Sequence, residues 1–176
     1  AQLIAWLEDQ GHTEADIEAA RSMPAQGKGL LDLQFAEDDV ICVNAYPSLN
    51  RRGYGGDNAY DFAQSTQFWR EELARLHARY PDKPILVSEF GYASLEGVFD
   101  SGFGEDAQTE AIAHEFAGMD APYVCGAVVW CWADHAWPQS GFCRNLRTSP
   151  YGVVTRERRK LQAYGEVRRT FLARQR

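Results

Sequence analysis

The sequence predicts an α/β protein, and three observations predict it. Apolar runs rich in β-branched residues occupy 39–46, 84–89 and 123–132. Each is followed, directly or after a loop, by apolar residues at helical spacing. The runs begin roughly forty residues apart, a rhythm that suits strand–helix units with parallel pairing and right-handed crossovers.

The first 38 residues stand outside that rhythm. "AQLIAWLEDQ" and "TEADIEAARSM" have helical patterns, with Gly11 and His12 between them, and "GKGLLDLQF" suits a short strand. Residues 1–38 are therefore expected to form an atypical N-terminal helical segment and 39–176 the α/β domain. The domain opens with "DVICVNAY" (39–46), apolar on both alternating faces, as in a strand buried on both sides. A Gly-, Asn- and Arg-rich loop, "PSLNRRGYGGDN", leads to a helix with Phe62, Trp69, Leu73, Leu76 and Tyr80 on one stripe. The prolines of "YPDKP" end it.

The second strand is "PILVSE" (84–89). After a glycine-containing loop, a helix at about 105–119 carries Ile112, Phe116 and Met119. The third strand, "YVCGAVVWCW" (123–132), precedes a long loop from Ala133 to about Val154. A last helix starts near Arg159, with Leu161, Tyr164, Val167 and Phe171 on its apolar side.

Composition bounds the function. The chain has 176 residues, 45% hydrophobic, and a formal net charge of −7, which argues against a general nucleic-acid binder. Residues 156–176 hold eight Lys or Arg against Glu157 and Glu166, read as a solvated helix face. Cys42, Cys125, Cys131 and Cys143 form no CxxC pair, so the expectation is buried free thiols, no metal and a reducing, cytoplasmic setting. No apolar run approaches the ~18 residues of a membrane span. No basic-then-apolar leader opens the sequence, so secretion has no support, while a first residue of Ala rather than Met suits a processed or partial product whose leader is not shown.

In parallel α/β folds, ligands meet the C-terminal ends of the strands. Those ends hold Asn44 and Tyr46, then Ser88 and Glu89, then Trp130, Trp132, Asp134 and His135. Aromatic faces suit sugar C–H surfaces, and amides and carboxylates bond hydroxyls, so the set reads as a sugar-binding kit. Asn44 also suits a loop cap, and the two tryptophans also suit packing between helix and sheet. Glu89 resists such a reading, because burying an unpaired carboxylate costs several kcal/mol. His12, His77 and His114 read as ordinary turn, structural or surface residues.

"DVICVNAY", "KPILVSEFG", "GAVVWCWADH" and "SPYGVVTRERRKLQAY", in that order, resemble the C-terminal part of the catalytic barrel of family-2 glycoside hydrolases, the group of β-galactosidases and β-glucuronidases. The resemblance covers roughly residues 39–168. It implies a TIM (β/α)8 barrel, of which this chain holds about three βα units, and a retaining β-glycosidase acting on a β-linked sugar or oligosaccharide without a cofactor. Glu89 matches the family's nucleophile, Asn44 and Tyr46 its "N-x-Y" strand end, and Trp130 the floor of its site. Trp132, Asp134 and His135 lie beside these, and Tyr54 stands in for part of an aromatic pair that "PSLNRRGYGG" replaces.

Retaining chemistry needs a second carboxyl about 5–5.5 Å from the first. The family places it in an Asn-Glu pair, and this sequence has no such dipeptide. The segment where β-glucuronidases carry Asn-x-Lys reads "TSPYG" here, with Asn145 and Arg147 out of register, which disfavours a glucuronidase. The alternative is a catalytically incomplete module that binds sugar or self-associates, with a homo-oligomer or the missing barrel half as partner.

Overall fold

The computed structural model describes residues 35–52, 61–137 and 148–174, with the side chains of 50–52 set aside. The chain divides into two compact units, Ala1–Ile41 and Cys42–Arg176. The helices and strand expected before residue 35, and the site residue Tyr54, lie outside the described residues, as do His12, Cys143, Asn145 and Arg147.

Three strands form one sheet in the order β1 (Ile41–Asn44), β2 (Ile85–Phe90), β3 (Val124–Val129). β2 and β3 run parallel, pairing Ile85 with Val124, Leu86 with Gly126, Val87 with Ala127 and Phe90 with Val129. A helix follows each strand unit. α1 (Pro47–Arg52) is a single short helix that occupies the start of the expected loop, with proline at its first position, where no amide hydrogen is needed. α2 (Ala63–Arg79) begins where Asp61 accepts the Ala63 amide at 2.8 Å and ends before Pro81. α3 (Glu105–Gly118) lies between α2 and α4 (Gln162–Ala173).

The predicted stripes meet in the core. Trp69, Leu73 and Leu76 of α2, Ile85, Val87 and Phe90 of β2, and Ile112 and Phe116 of α3 are all buried, with Phe90 and Phe116 meeting edge-on at 5.0 Å. α2 and α3 approach most tightly at Gly118, where a Cβ would fall 2.7 Å from the Thr66 carbonyl oxygen and 2.8 Å from Trp69 Cβ. Only a residue without a side chain permits that crossing.

Two expectations are corrected on the other side of the sheet. The strand at 39–46 is not buried on both faces, because Cys42 and Asn44 are exposed. The thiols are not uniformly buried either: Cys42 and Cys125 are exposed and Cys131 is half-buried. The physical reason is common to both. Ile85 and Val87 turn to the covered face, while Cys42, Cys125 and Val128 fall on positions that no described element covers.

β3 also stops earlier than its apolar run. At Trp130, whose amide bonds the Phe90 carbonyl at 2.7 Å, the chain leaves β2 and takes 151–154 as its partner. Cys131 donates to the Tyr151 carbonyl (3.0 Å) and accepts from Val153 (3.1 Å), and Val154 donates to the Trp132 carbonyl (3.0 Å). Beyond this junction β4 (His135–Ala136) pairs antiparallel with β5 (Thr148–Ser149), within the span expected as a loop. α4 starts later than expected, after a turn at 155–161 in which Arg158 adopts φ 71°. Its buried seam is Leu161 and Ala163, and Phe171 is exposed, touching Phe116 edge-on. Among the described residues no helix is long and apolar enough to cross a membrane.

Candidate functional site

Glu89 sits on the fifth of the six residues of β2, half-buried at the strand's C-terminal end. The residue two beyond β1, Tyr46, reaches the same point and donates its phenolic hydrogen to Glu89 Oε1 in a very short bond. The two strand ends are also tied by backbone, with the Ala45 amide on the Glu89 carbonyl at 3.2 Å. One residue back, Ser88 donates to Asn44 Oδ1 at 2.6 Å. The strand ends thus hold four polar side chains in two cross-strand pairs, Tyr46–Glu89 and Asn44–Ser88.

The glycine of "SEFG" has a distinct reason. A Cβ on Gly91 would fall 2.1 Å from the Trp130 carbonyl oxygen. The backbone after β3 passes against the backbone after β2, so Gly91 is what lets Trp130 stand next to Glu89's strand.

Trp130 meets His135 edge-on, ring centroids 5.7 Å apart, and is 36% exposed. Tyr151, from the segment that replaces β2 as partner, packs edge-on against Tyr46 at 5.9 Å. Behind them lies a cluster of Leu49, Phe62, Tyr92, Ala93, Ala107 and Ala111, against which Tyr46 and Cys131 pack.

The electrostatics follow from this half-buried setting. Burial, and then the bond to the Glu89 carboxylate and its charge, hold the Tyr46 phenol far above its ordinary range, so it remains a donor throughout the working pH range. Burial, with the charges of Asp134 and Glu89, pushes the Cys131 thiol up to about 11, which keeps it protonated and unsuited to nucleophilic or metal chemistry. Burial likewise raises the Asp134 carboxyl, opposed by the Gly152 amide that it accepts at 2.8 Å. Among the described residues no group of His, Cys, Asp and Glu could hold a metal ion.

The structure brings most of the sequence-predicted residues together, in different ways. Tyr46 is bonded to Glu89, Asn44 to the neighbouring Ser88, and Trp130 and His135 meet each other beyond the end of β3. Asp134 is turned to the backbone of Gly152. Trp132 is 59% exposed and packs edge-on against Tyr164 of α4, 5.9 Å between centroids.

Three supporting residues were missed. Tyr151 closes the wall beside Tyr46; an aromatic residue next to a glycine in "SPYG" was its available signal. Gln108 of α3 is buried and donates to the carbonyls of Tyr92 (2.9 Å) and Gly152 (3.1 Å) while accepting from Ser94 (3.0 Å). Glu105, also on α3, accepts the amides of Gly97 and Gln162, both at 2.9 Å, and so ties the loop after β2 to the start of α4. Nothing in the spacing marks these two, because their partners are backbone groups of distant loops.

No family model matches the chain. A curated β-glucuronidase of Streptococcus agalactiae is 25% identical over 138 residues, 76% of this chain and 22% of that protein. The solved β-D-glucuronidase of Dictyoglomus thermophilum is 28% identical with a TM-score of 0.63, covering 76% of this chain and 22% of that one. A GH2 β-galacturonidase of Eisenbergiella tayi, solved with bound galacturonate, aligns at TM-score 0.58 over 77% of this chain and 24% of its own; at 19% identity that likeness is one of fold alone. The chain therefore spans about a fifth of the length of the relatives it matches. With strand ends, motifs and relatives in agreement, the chain resembles part of a family-2 glycoside hydrolase.

Proposed function

We propose that this chain is the nucleophile-bearing part of a retaining β-glycosidase, built as the last three strand–helix units of a (β/α)8 barrel, with residues 1–38 as a separate segment. The observation that carries the reading is the Tyr46–Glu89 bond at the joined ends of β1 and β2. A Glu89 oxygen attacks the anomeric carbon as the bond to the leaving group breaks, and water then hydrolyses the glycosyl-enzyme. Tyr46 occupies Oε1, which leaves Oε2 for the attack. Asn44, held through Oδ1 by Ser88, turns its amide hydrogens to a sugar hydroxyl, and Trp130 and His135 offer ring surface.

The acid/base comes from outside the described residues, since Asp134 is committed to Gly152. The substrate is a β-linked sugar. The relatives' names point to uronides, but "TSPYG" here has neither the Asn nor the Lys that the resemblance associates with recognition of a sugar carboxylate. Neutral β-glycosides are accordingly placed ahead of β-uronides.

Dinitrophenyl 2-deoxy-2-fluoro glycosides test the nucleophile alone, because their leaving group departs without an acid. Neutral and uronic members of the series are incubated with the chain, and intact and peptide masses are read. The expected result is one adduct on the Glu89 peptide, absent from Glu89→Gln. No adduct with any sugar overturns the enzymatic reading of this chain.

The second reading, a self-associating module, is favoured by a sheet face that no described element covers, where Val128 is 50% exposed. Sedimentation decides it: a dimer or larger species supports it, and a monomer at all concentrations sinks it.

A further inference from the structure

Glu115 is the most thoroughly buried carboxyl among the described residues, and the chemistry proposed for Glu89 does not use it. It lies on α3 with no exposure, and neither carboxyl oxygen has a hydrogen-bond partner of normal geometry. Around it the structure places Ser48 of α1, which interacts through hydroxyl and amide, and Trp69 of α2, whose indole nitrogen is itself unbonded. Ser48 is also fully buried, its hydroxyl 2.5 Å from that of Ser65 on α2.

Among the described residues no charged group acts on this carboxyl. The neighbouring ring on α3, His114, is turned to Thr66 of α2 at 3.1 Å. Arg174, just past the end of α4, is committed to the Phe116 carbonyl at 3.0 Å and lies over the Phe116 ring. A carboxylate without a paired charge in such a place is costly, and a neutral carboxylic acid is not. Burial accordingly pushes the Glu115 carboxyl up to about 8, against the weaker downward pull of Ser48 and Trp69.

Position gives this acid its significance. Ser48 stands two residues after Tyr46, in the helix that begins as soon as β1 has delivered the phenol to Glu89. We propose that Glu115 is a proton-operated latch: in its neutral form it lets α1 seat on α2 and α3, and that seat holds Tyr46 on Glu89. Loss of the proton drives water or Glu115 itself into the junction, unseats α1 and releases Tyr46. Glu115 is thus a positioning residue that acts through Ser48 and Tyr46.

The latch rests on the Tyr46–Glu89 geometry rather than on glycosidase activity, so its test needs no turnover. Hydrogen exchange at the amides of Tyr46, Ser48 and Leu49 is followed in the full chain from about pH 6 to pH 9, corrected for intrinsic rates. The expected result is at least tenfold loss of protection above about pH 8, absent in Glu115→Gln and retained in Tyr46→Phe. Protection that is flat in the wild type, or that falls equally in Glu115→Gln, overturns the latch. If Glu115→Gln fails to fold, the side-chain carbon resonance of Glu115 in the wild type decides. A midpoint coinciding with the loss of protection supports the proposal, and a midpoint in the ordinary carboxylate range refutes it. Failure of the fluoroglycoside labelling with an intact latch would strike the enzymatic reading alone.

Discussion

Tyr46 donates to Glu89 across 43 residues of sequence and joins the end of β1 to the end of β2. The bond makes one oxygen of the carboxylate an acceptor of fixed direction and leaves the other unengaged by the phenol. It also explains why a carboxylate tolerates a half-buried strand end, since a charged acceptor with a matched donor regains what desolvation removes.

Replacing Tyr46 with Phe keeps the ring against Tyr151 and removes only the donor. Hydrogen bonds to charged groups contribute about 1.5–3 kcal/mol, so labelling of Glu89 is expected to slow roughly tenfold to a hundredfold. Time-resolved intact mass with the reactive fluoroglycoside measures it. An unchanged rate removes Tyr46 from any role in positioning the nucleophile.

Gly91→Ala puts a methyl group 2.1 Å from the Trp130 carbonyl oxygen, a backbone atom that cannot swing aside. The expected outcome is loss of more than about 3 kcal/mol of stability or failure to fold. Gly165→Ala, in α4 with no atom near its Cβ position, is the counterpart. It is expected to gain about 0.5–1 kcal/mol from helix propensity. Thermal melts of the two variants should move in opposite directions.

Asp134→Ala leaves the Gly152 amide without its acceptor, at a cost of about 1–3 kcal/mol. Asp134→Asn retains an acceptor oxygen and is expected to recover most of that loss in urea melts. Equal destabilisation by both variants shows that the charge, not the hydrogen bond, matters at this position.

The three strands, α2 and α3 were legible because each carries a periodic apolar pattern that survives in the fold. The end of β3 was not: trading Phe90 for Tyr151 and Val153 as backbone partners leaves no mark on an apolar run. The start of α4 was obscured by Arg158, a non-glycine residue at positive φ that stops the chain from entering the helix at Arg159. The uncovered face of β1 was misread because strand apolarity implies a cover that no described element supplies. At the site, Glu89, Tyr46 and Asn44 were legible as polar residues at strand ends. Gln108 and Glu105 were not, since a helix residue serving distant carbonyls and amides looks like any other polar helix residue.

Thiol reactivity follows from the same exposed face. Cys42 and Cys125 are exposed, while Cys131 is half-buried and its pKa is pushed up to about 11. Maleimide at neutral pH, with peptide mapping, is expected to modify Cys42 and Cys125 readily and Cys131 slowly. Fast modification of Cys131 contradicts its placement. Protection of Cys42 and Cys125 shows that another element or copy covers the face in solution.

The buried acid makes stability depend on pH in an unusual direction. Glu115 titrates near 4.5 when unfolded and at about 8 in the fold, a raised value caused first by burial. Its contribution is therefore fully present below about 4.5 and is lost as pH rises to about 8, because the unfolded chain releases the proton first. The slope is at most about 1.4 kcal/mol per pH unit within that window and vanishes above it. Glu115→Gln removes the proton exchange while keeping the shape. Urea unfolding is expected to find the variant close to the wild type near the acid end and progressively more stable toward pH 8. Parallel stability profiles for the two proteins would show that Glu115 is already ionised, and satisfied, in the native fold.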